Sequence, residues 1–140
     1  MGGSYSDLGL DKSESEADDG SSPITTLKSV KDWDNKVAES KTPQNKNKLI
    51  VVDFTASWCI FCKIIAPAVK EYAQKYSNVE FLKIDMTSPQ TPFMDVARKY
   101  DVRGYPTFIM MKNGESVEKV IGAKDYMCSR INRGESWIPW

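Results

Sequence analysis

Residues 49–62 of this 140-residue chain read Leu-Ile-Val-Val-Asp-Phe-Thr-Ala-Ser-Trp-Cys-Ile-Phe-Cys, and this stretch decides the fold. Residues 49–55 form an apolar run rich in β-branched side chains, which predicts a buried central strand. From Cys59 to Tyr76 the apolar period becomes helical. The sequence therefore predicts a core strand that leads directly into an amphipathic helix, with two cysteines on the first helical turn.

The periodicities extend outward from this stretch in both directions. Apolar runs predict further strands at residues 24–27, 79–85, 107–111 and 116–121, and Asn113-Gly114 joins the last two as a hairpin. Helical spacing predicts helices after Ser29, near Phe93 and at residues 125–131. The order β-α-β-α-β-α-β-β-α predicts an α/β fold. We expect parallel strand–helix–strand pairs, a central mixed sheet and helices on both faces, in three layers.

The two ends of the chain differ in composition from its middle. Residues 1–22 hold six acidic residues and one basic residue, are rich in Gly and Ser, and predict a disordered acidic tail. Residues 23–131 are the predicted folded domain, and residues 132–140 are a C-terminal tail that ends in Trp-Ile-Pro-Trp. The first six residues fit an N-myristoylation pattern, so we expect a membrane as a partner only if Gly2 is acylated.

Composition argues against several classes of function. The chain has no histidine, which excludes Cys–His and Ser–His catalysis and every His-ligated metal site. Its basic residues are scattered, so we expect no nucleic-acid partner. The sequence predicts neither a membrane-spanning helix nor a secretory signal, because it lacks the apolar runs that both need. Three cysteines cannot all pair within one chain, so we expect a reducing compartment, the cytoplasm.

Cys59 and Cys62 are the candidate catalytic pair. Cys59 lies at the predicted helix N-cap, where free backbone N–H groups and the positive end of the helix dipole stabilise a thiolate. Cys62 lies one turn further in, near enough for a disulfide and more shielded. The alternative is two small apolar cysteines without chemistry. Phe61 offers this capping sulfur an N–H that proline would lack, so we expect a more oxidising dithiol than one with proline there.

Three further residues near the cysteines are candidates for the site. Asp53 interrupts the predicted core strand, and burial should raise the pKa of its carboxyl towards neutral pH; an outward-facing Asp53 is the alternative. Trp58 adjoins the thiols, either as a shield or partner-docking group or as a core aromatic. Pro106 lies at the start of the predicted strand at residues 107–111, where a proline removes no ladder hydrogen bond and a cis peptide bond can persist; simple punctuation of the strand is the alternative.

Residues 51–67, with Thr-Ala-Ser-Trp-Cys and the Cys-x-x-Cys spacing, resemble the active-site segment of the thioredoxin family, and of the h-type thioredoxins most of all. Later motifs follow in the family's order at residues 81–85, 103–107, 112–115 and 122–123. The resemblance implies the thioredoxin fold, dithiol–disulfide exchange and a cis bond before Pro106. It implies the nucleophile at Cys59, the resolving thiol at Cys62 and a buried proton acceptor at Asp53.

The resemblance implies a protein-disulfide reductase that needs no cofactor beyond its redox-active disulfide. Its expected partners are disulfide-containing proteins and a reductase, either thioredoxin reductase or the glutathione system. The expected substrate-binding residues surround the dithiol: Trp58, Ile60, Phe61, Tyr105 and Pro106.

Two alternatives stay open at this point. Cys59 and Cys62 of two chains could hold one [2Fe–2S] cluster across a dimer, because Phe61 lacks the constraint of a proline ring. The chain could also be a binding module that recognises partners through Trp58, Phe61 and Tyr105 without turnover, although the presence of both cysteines and of Asp53 argues against this. Cys128 has no implied role, and we expect it to be a half-buried small residue.

Overall fold

The computed structural model describes residues 22–122, and this part of the chain forms a five-stranded sheet and three helices. The strands are β1 (Ile24–Thr26), β2 (Ile50–Thr55), β3 (Glu80–Asp85), β4 (Thr107–Lys112) and β5 (Glu115–Ile121). The helices are α1 (Val30–Ser40), α2 (Ile60–Lys75) and α3 (Met94–Lys99). Every element predicted within this range is present, with ends that differ by about one residue.

Several sequence predictions fall outside the described residues. They are the acidic tail at residues 1–22, apart from Ser22, the helix at residues 125–131 with Cys128, and the tail at residues 132–140.

The sheet has the strand order β1-β3-β2-β4-β5 and is mixed, as predicted. Strand β3 pairs in parallel with both β1 and β2, whereas β4 pairs antiparallel with β2 and with β5. At the turn between β4 and β5, Asn113 and Gly114 both have positive φ, 55° and 78°. Positive φ at both central residues is what a two-residue hairpin of type I′ requires, so the Asn-Gly signal is confirmed.

The prediction of parallel strand–helix–strand pairs is right for β2-α2-β3 and wrong for β3-α3-β4. Strand β4 runs antiparallel to β2 and therefore to β3. Helix length gives a physical reason: α2 has 16 residues and spans about 24 Å, enough to return the chain along a strand. Helix α3 has six residues and spans about 9 Å, so it does not carry the chain back to the starting edge of the sheet.

The sheet is covered by α2 on one face and by α1 and α3 on the other, which confirms the predicted α/β/α layers of the thioredoxin fold. One buried cluster includes Leu49, Val51, Ile65, Val69, Phe81 and Phe108; the other includes Trp33, Val52, Phe54, Ile84, Val96 and Ala97. Alternate residues of β2 enter opposite clusters, as strand geometry requires. Asp53 lies two residues from Val51 and so on the α2 face. Among the described residues, no helix is long and apolar enough to cross a bilayer.

Ser29 forms the predicted N-cap of α1. Its hydroxyl oxygen accepts the backbone N–H of Asp32 at 3.1 Å, and the Asp32 carboxylate accepts the N–H of Lys28 at 2.9 Å. Both bonds satisfy backbone donors at a helix start, and Trp33 in the next position is buried in the core. The cap therefore fixes the helix end from which a core aromatic projects.

We expect Ser29→Ala to lower the free energy of unfolding by about 1 kcal/mol, the usual contribution of an N-cap side chain. Chemical denaturation of the two proteins measures the difference. Ser29→Asp is the matched control, because its carboxylate can accept the same N–H and should keep the parent's stability. If both variants lose the same free energy of unfolding, the Ser29 hydroxyl does not act as a cap.

Candidate active site

Cys59 is the N-cap of α2, as predicted. The buried strand β2 ends at Thr55, and a tight turn closed by the bond from the Cys59 N–H to the Ala56 carbonyl, at 3.1 Å, leads to the helix. The Cys59 Sγ accepts the backbone N–H of Cys62 at 3.2 Å. A sulfur in this position receives both a direct hydrogen bond and the field of the helix N-terminus, so negative charge on it is stabilised.

Cys62 lies one turn inside α2 and is buried, at 5% exposure. Burial, followed by its contact with Cys59, raises the pKa of the Cys62 thiol. The Thr55 hydroxyl and the Ala56 backbone N–H act in the opposite direction by hydrogen bonding to the sulfur. Both Cys59 and Cys62 are free thiols in this structure. The inner thiol therefore holds its proton at neutral pH and needs a base before it can attack.

Asp53 is buried on the same face of the sheet as α2 and Cys62. Burial raises the pKa of its carboxyl from 3.8 to about 7, and attraction to the Lys83 ammonium offsets part of the rise. Lys83 is its partner in the parallel register with β3. Its Oδ1 is buried and has no hydrogen-bond partner within the described chain. The sequence prediction of a buried carboxyl with a raised pKa is thus confirmed, and the outward-facing alternative is wrong.

The loop before β4 closes one side of the dithiol. The Tyr105–Pro106 peptide bond is cis, as predicted. The Tyr105 carbonyl oxygen accepts the S–H of Cys59 at 3.4 Å, and the Tyr105 ring packs against the small cluster of Ala56, Cys59 and Cys62. The structure therefore brings Tyr105 to Cys59, although the two residues lie 46 positions apart along the chain.

Large apolar side chains surround the two thiols on the surface. Trp58 is 65% exposed and Phe61 66%, so Trp58 is not a core aromatic. The Trp58 ring meets Tyr105 edge-on, with ring centroids 5.7 Å apart. Ile60 and Ile64, one helical turn apart, are 42% and 50% exposed. We call these exposed side chains, Trp58, Ile60, Phe61 and Ile64, together with Tyr105, the apolar rim of the dithiol.

Sequence reasoning missed Ile64 and Thr55 as parts of the site. Ile64 follows Ile60 by four residues, and this spacing on the exposed side of a helix was a usable signal. Thr55 follows Asp53 by two residues and so shares its face of β2, which was the signal for its approach to Cys62.

The expected hydrogen bond from the Phe61 N–H to the Cys59 sulfur is not present in the described residues. The hydrogen bond to the Cys59 sulfur comes from the N–H of Cys62. A proline at position 61 would leave the Cys62 N–H in place. The extra donor that was expected to make this dithiol more oxidising is therefore not supplied by Phe61.

Residues 25–132 match the family model described as Thioredoxin. The chain belongs to the thioredoxin family. A relative named Thioredoxin H-type, from Fagopyrum esculentum, is 40% identical over 109 residues, covering 77% of this chain and 88% of the relative.

Two solved structures extend the comparison. Thioredoxin NaTrxh from Nicotiana alata superposes with a TM-score of 0.71 at 36% identity, covering 80% of this chain and 92% of that one. The structure described as a complex of ferredoxin:thioredoxin reductase and thioredoxin f2 gives a TM-score of 0.67 at 27% identity, covering 81% of this chain and 96% of that one.

The thioredoxin family consists of thiol–disulfide oxidoreductases that act on protein disulfides through a dithiol, and this chain is one of them. The comparisons give no support to the alternative of an iron–sulfur cluster held by Cys59 and Cys62 of two chains. Within residues 22–122, no group of three or more His, Cys, Asp or Glu side chains could hold a metal ion.

We expect the parent to lose stability relative to Asp53→Asn as pH rises. The folded carboxyl has a pKa of about 7 against 3.8 in the unfolded chain, so between these values the folded state binds the extra proton. The free energy of unfolding therefore falls as pH increases from about 4 to 7, by up to about 4 kcal/mol, and is level above that.

Denaturant titrations of both proteins across this pH range measure the effect. Asp34→Asn, on α1, is the control and should follow the parent. A constant difference between the parent and Asp53→Asn at every pH would show that the Asp53 carboxyl does not titrate in this window.

We expect Phe61→Pro to change the reduction potential little, because the donor to the Cys59 sulfur lies on Cys62. One added hydrogen bond of about 1.5 kcal/mol would shift a two-electron couple by about 30 mV, and the shift should be smaller than this. Titration of both proteins against glutathione redox buffers measures the two potentials. If Phe61→Pro is more reducing by the full amount, the Phe61 N–H acts on the thiolate after all.

Proposed function

We propose that Cys59 is the nucleophile and Cys62 the resolving thiol in the reduction of protein disulfides by this chain. The observation that carries the assignment is the capping geometry: the Cys59 sulfur accepts the Cys62 N–H at the start of α2, whereas Cys62 is deeper and its pKa is raised. The Cys59 thiolate attacks one sulfur of the substrate disulfide. The substrate S–S bond breaks, a mixed disulfide forms, and the departing substrate sulfur takes up a proton from solvent.

Asp53 is the proposed proton acceptor for the second step. The Cys62 thiol passes its proton through a bridging water molecule to the Asp53 carboxylate, whose buried Oδ1 has no hydrogen-bond partner within the described chain. The Cys62 thiolate then attacks the Cys59 sulfur, the mixed disulfide breaks, and the reduced substrate leaves as a Cys59–Cys62 disulfide forms. A carboxyl with a pKa of about 7 can accept a proton and release it again near neutral pH.

The apolar rim around the dithiol is the proposed substrate-binding surface. Trp58, Ile60 and Phe61 present exposed apolar area next to Cys59, and the Tyr105 ring adjoins Trp58 directly before the cis bond to the buried Pro106. Burial of such area against a partner releases free energy in proportion to the area covered. Substrates are disulfide-containing proteins in which apolar side chains flank the reactive cysteine.

A reductase must return the Cys59–Cys62 disulfide to the dithiol for turnover. The proposed source of electrons is thioredoxin reductase or the glutathione system, and the proposed location is the cytoplasm. Residence at a membrane requires acylation of Gly2, and no nucleic acid takes part in the proposed function. The three cysteines are consistent with a reducing compartment.

Variants of the two thiols test the assignment of their roles. In a Cys128→Ser background, Cys59→Ser should abolish reduction of insulin by dithiothreitol-fed protein, because no nucleophile forms the mixed disulfide. Cys62→Ser should form the mixed disulfide and fail to resolve it, so covalent adducts accumulate on non-reducing gels and disappear with reductant. Adducts with Cys59→Ser but not with Cys62→Ser would reverse the two roles.

A further inference from the structure

The loop between β3 and α3 binds the two residues that precede the nucleophile. The Thr87 hydroxyl oxygen accepts the backbone N–H of Ser57 at 2.8 Å. The Thr87 carbonyl oxygen accepts the indole N–H of Trp58 at 3.2 Å. One residue therefore holds both the backbone and the side chain of the segment that ends at Cys59.

Asp85, at the end of β3, sets the direction of the Thr87 hydroxyl. Its Oδ1 accepts the Thr87 backbone N–H at 2.9 Å and also accepts the Thr87 hydroxyl proton. A hydroxyl has one proton and two lone pairs, so a hydroxyl that donates to Asp85 turns its lone pairs towards the Ser57 N–H. The carboxylate thus makes Thr87 an acceptor in the active-site loop.

The contacts of Trp58 continue from Thr87 to the thiol. The Trp58 ring meets Tyr105 edge-on, and the Tyr105 carbonyl accepts the Cys59 S–H at 3.4 Å. Aromatic pairs in this arrangement have a defined geometry, so fixing one ring restricts the other. Thr87 therefore contacts Trp58, and Trp58 contacts Tyr105 beside the dithiol, but Thr87 makes no hydrogen bond to the Cys59 sulfur within the described residues.

We propose that Thr87 is a positioning residue whose hydroxyl fixes the backbone of Ser57, and through it the adjoining Trp58, for the docking of protein substrates. The proposal rests on the function proposed above and adds a residue from a loop distant in sequence. Ser57 and Trp58 are exposed, so water can replace both bonds in a variant and the fold should depend on them little. We expect Thr87 to keep the side chains of the apolar rim in a fixed arrangement. A protein substrate contacts this rim, whereas a small disulfide does not.

The test compares Thr87→Val with the parent on two substrates. Valine has the shape of threonine without its hydroxyl, so the Ser57 N–H loses its acceptor. We expect KM for insulin to rise about fivefold, within the range of one net hydrogen bond, with kcat within about twofold of the parent. The rate with hydroxyethyl disulfide should stay at the parent's value.

Two variants serve as controls. Thr87→Ser restores a hydroxyl at the same place and should return KM for insulin to the parent's value. Ser88→Ala removes the neighbouring exposed hydroxyl, whose bonds in the structure go to Gln90 of its own loop, and should leave both rates unchanged.

Three outcomes would overturn the assignment. The first is an unchanged KM for insulin in Thr87→Val. The second is an equal loss on insulin and on hydroxyethyl disulfide together with a lower melting temperature, which would make Thr87 purely structural. The third is a parent that reduces neither disulfide. This last result contradicts the proposed function itself, whereas the first two contradict only the role of Thr87.

Discussion

The burial of β2 in the middle of the sheet is the constraint on which the rest of the structure depends. The strand pairs with β3 on one side and β4 on the other, and five of its six residues are buried. Val51, Val52 and Phe54 are fully buried, and each contributes about 1.5–3 kcal/mol of transfer free energy. Because the strand is fixed on both faces and both edges, its last residue is fixed as well. Cys59 lies only four residues later along the chain and caps α2, so the position of its sulfur is set by the buried strand.

The same burial that stabilises β2 creates the chemistry at its centre. Asp53 occupies a position where an apolar side chain would be more stable, and its carboxyl stays protonated up to about pH 7. Cys62, on the buried side of α2, also favours its protonated form. The α2 face of the sheet therefore holds two buried acids that both favour their neutral forms. In the proposed exchange Asp53 accepts the proton that leaves Cys62, so the burial that costs stability also supplies the proposed proton acceptor.

Local signals in the sequence predicted most of the fold and the centre of the site. The apolar run with Asp53, the cysteine spacing and the Asn-Gly turn each act over a few neighbouring residues, so they can be seen without tertiary structure. The antiparallel direction of β4 was missed because it depends on how far the six-residue α3 carries the chain. The hydrogen bond between Thr55 and Cys62 depends on how α2 lies over the sheet. The donor to the Cys59 sulfur was misassigned because the cap geometry allows either of two N–H groups, and only the side-chain torsion of Cys59 selects one.

The Ile60-Phe61 pair shows how an active-site substitution can act on recognition and leave the thiolate alone. The hydrogen bond that stabilises charge on Cys59 comes from the backbone of Cys62, so it does not depend on which side chains lie between the cysteines. Ile60 and Phe61 are 42% and 66% exposed, so a large part of each side chain faces solvent. Much of their apolar area stays uncovered within residues 22–122, and full burial of such a side chain is worth about 1.5–3 kcal/mol. Under the proposed function, that free energy becomes available when a partner covers these side chains, so the pair affects the binding of disulfide substrates more than the reactivity of the dithiol.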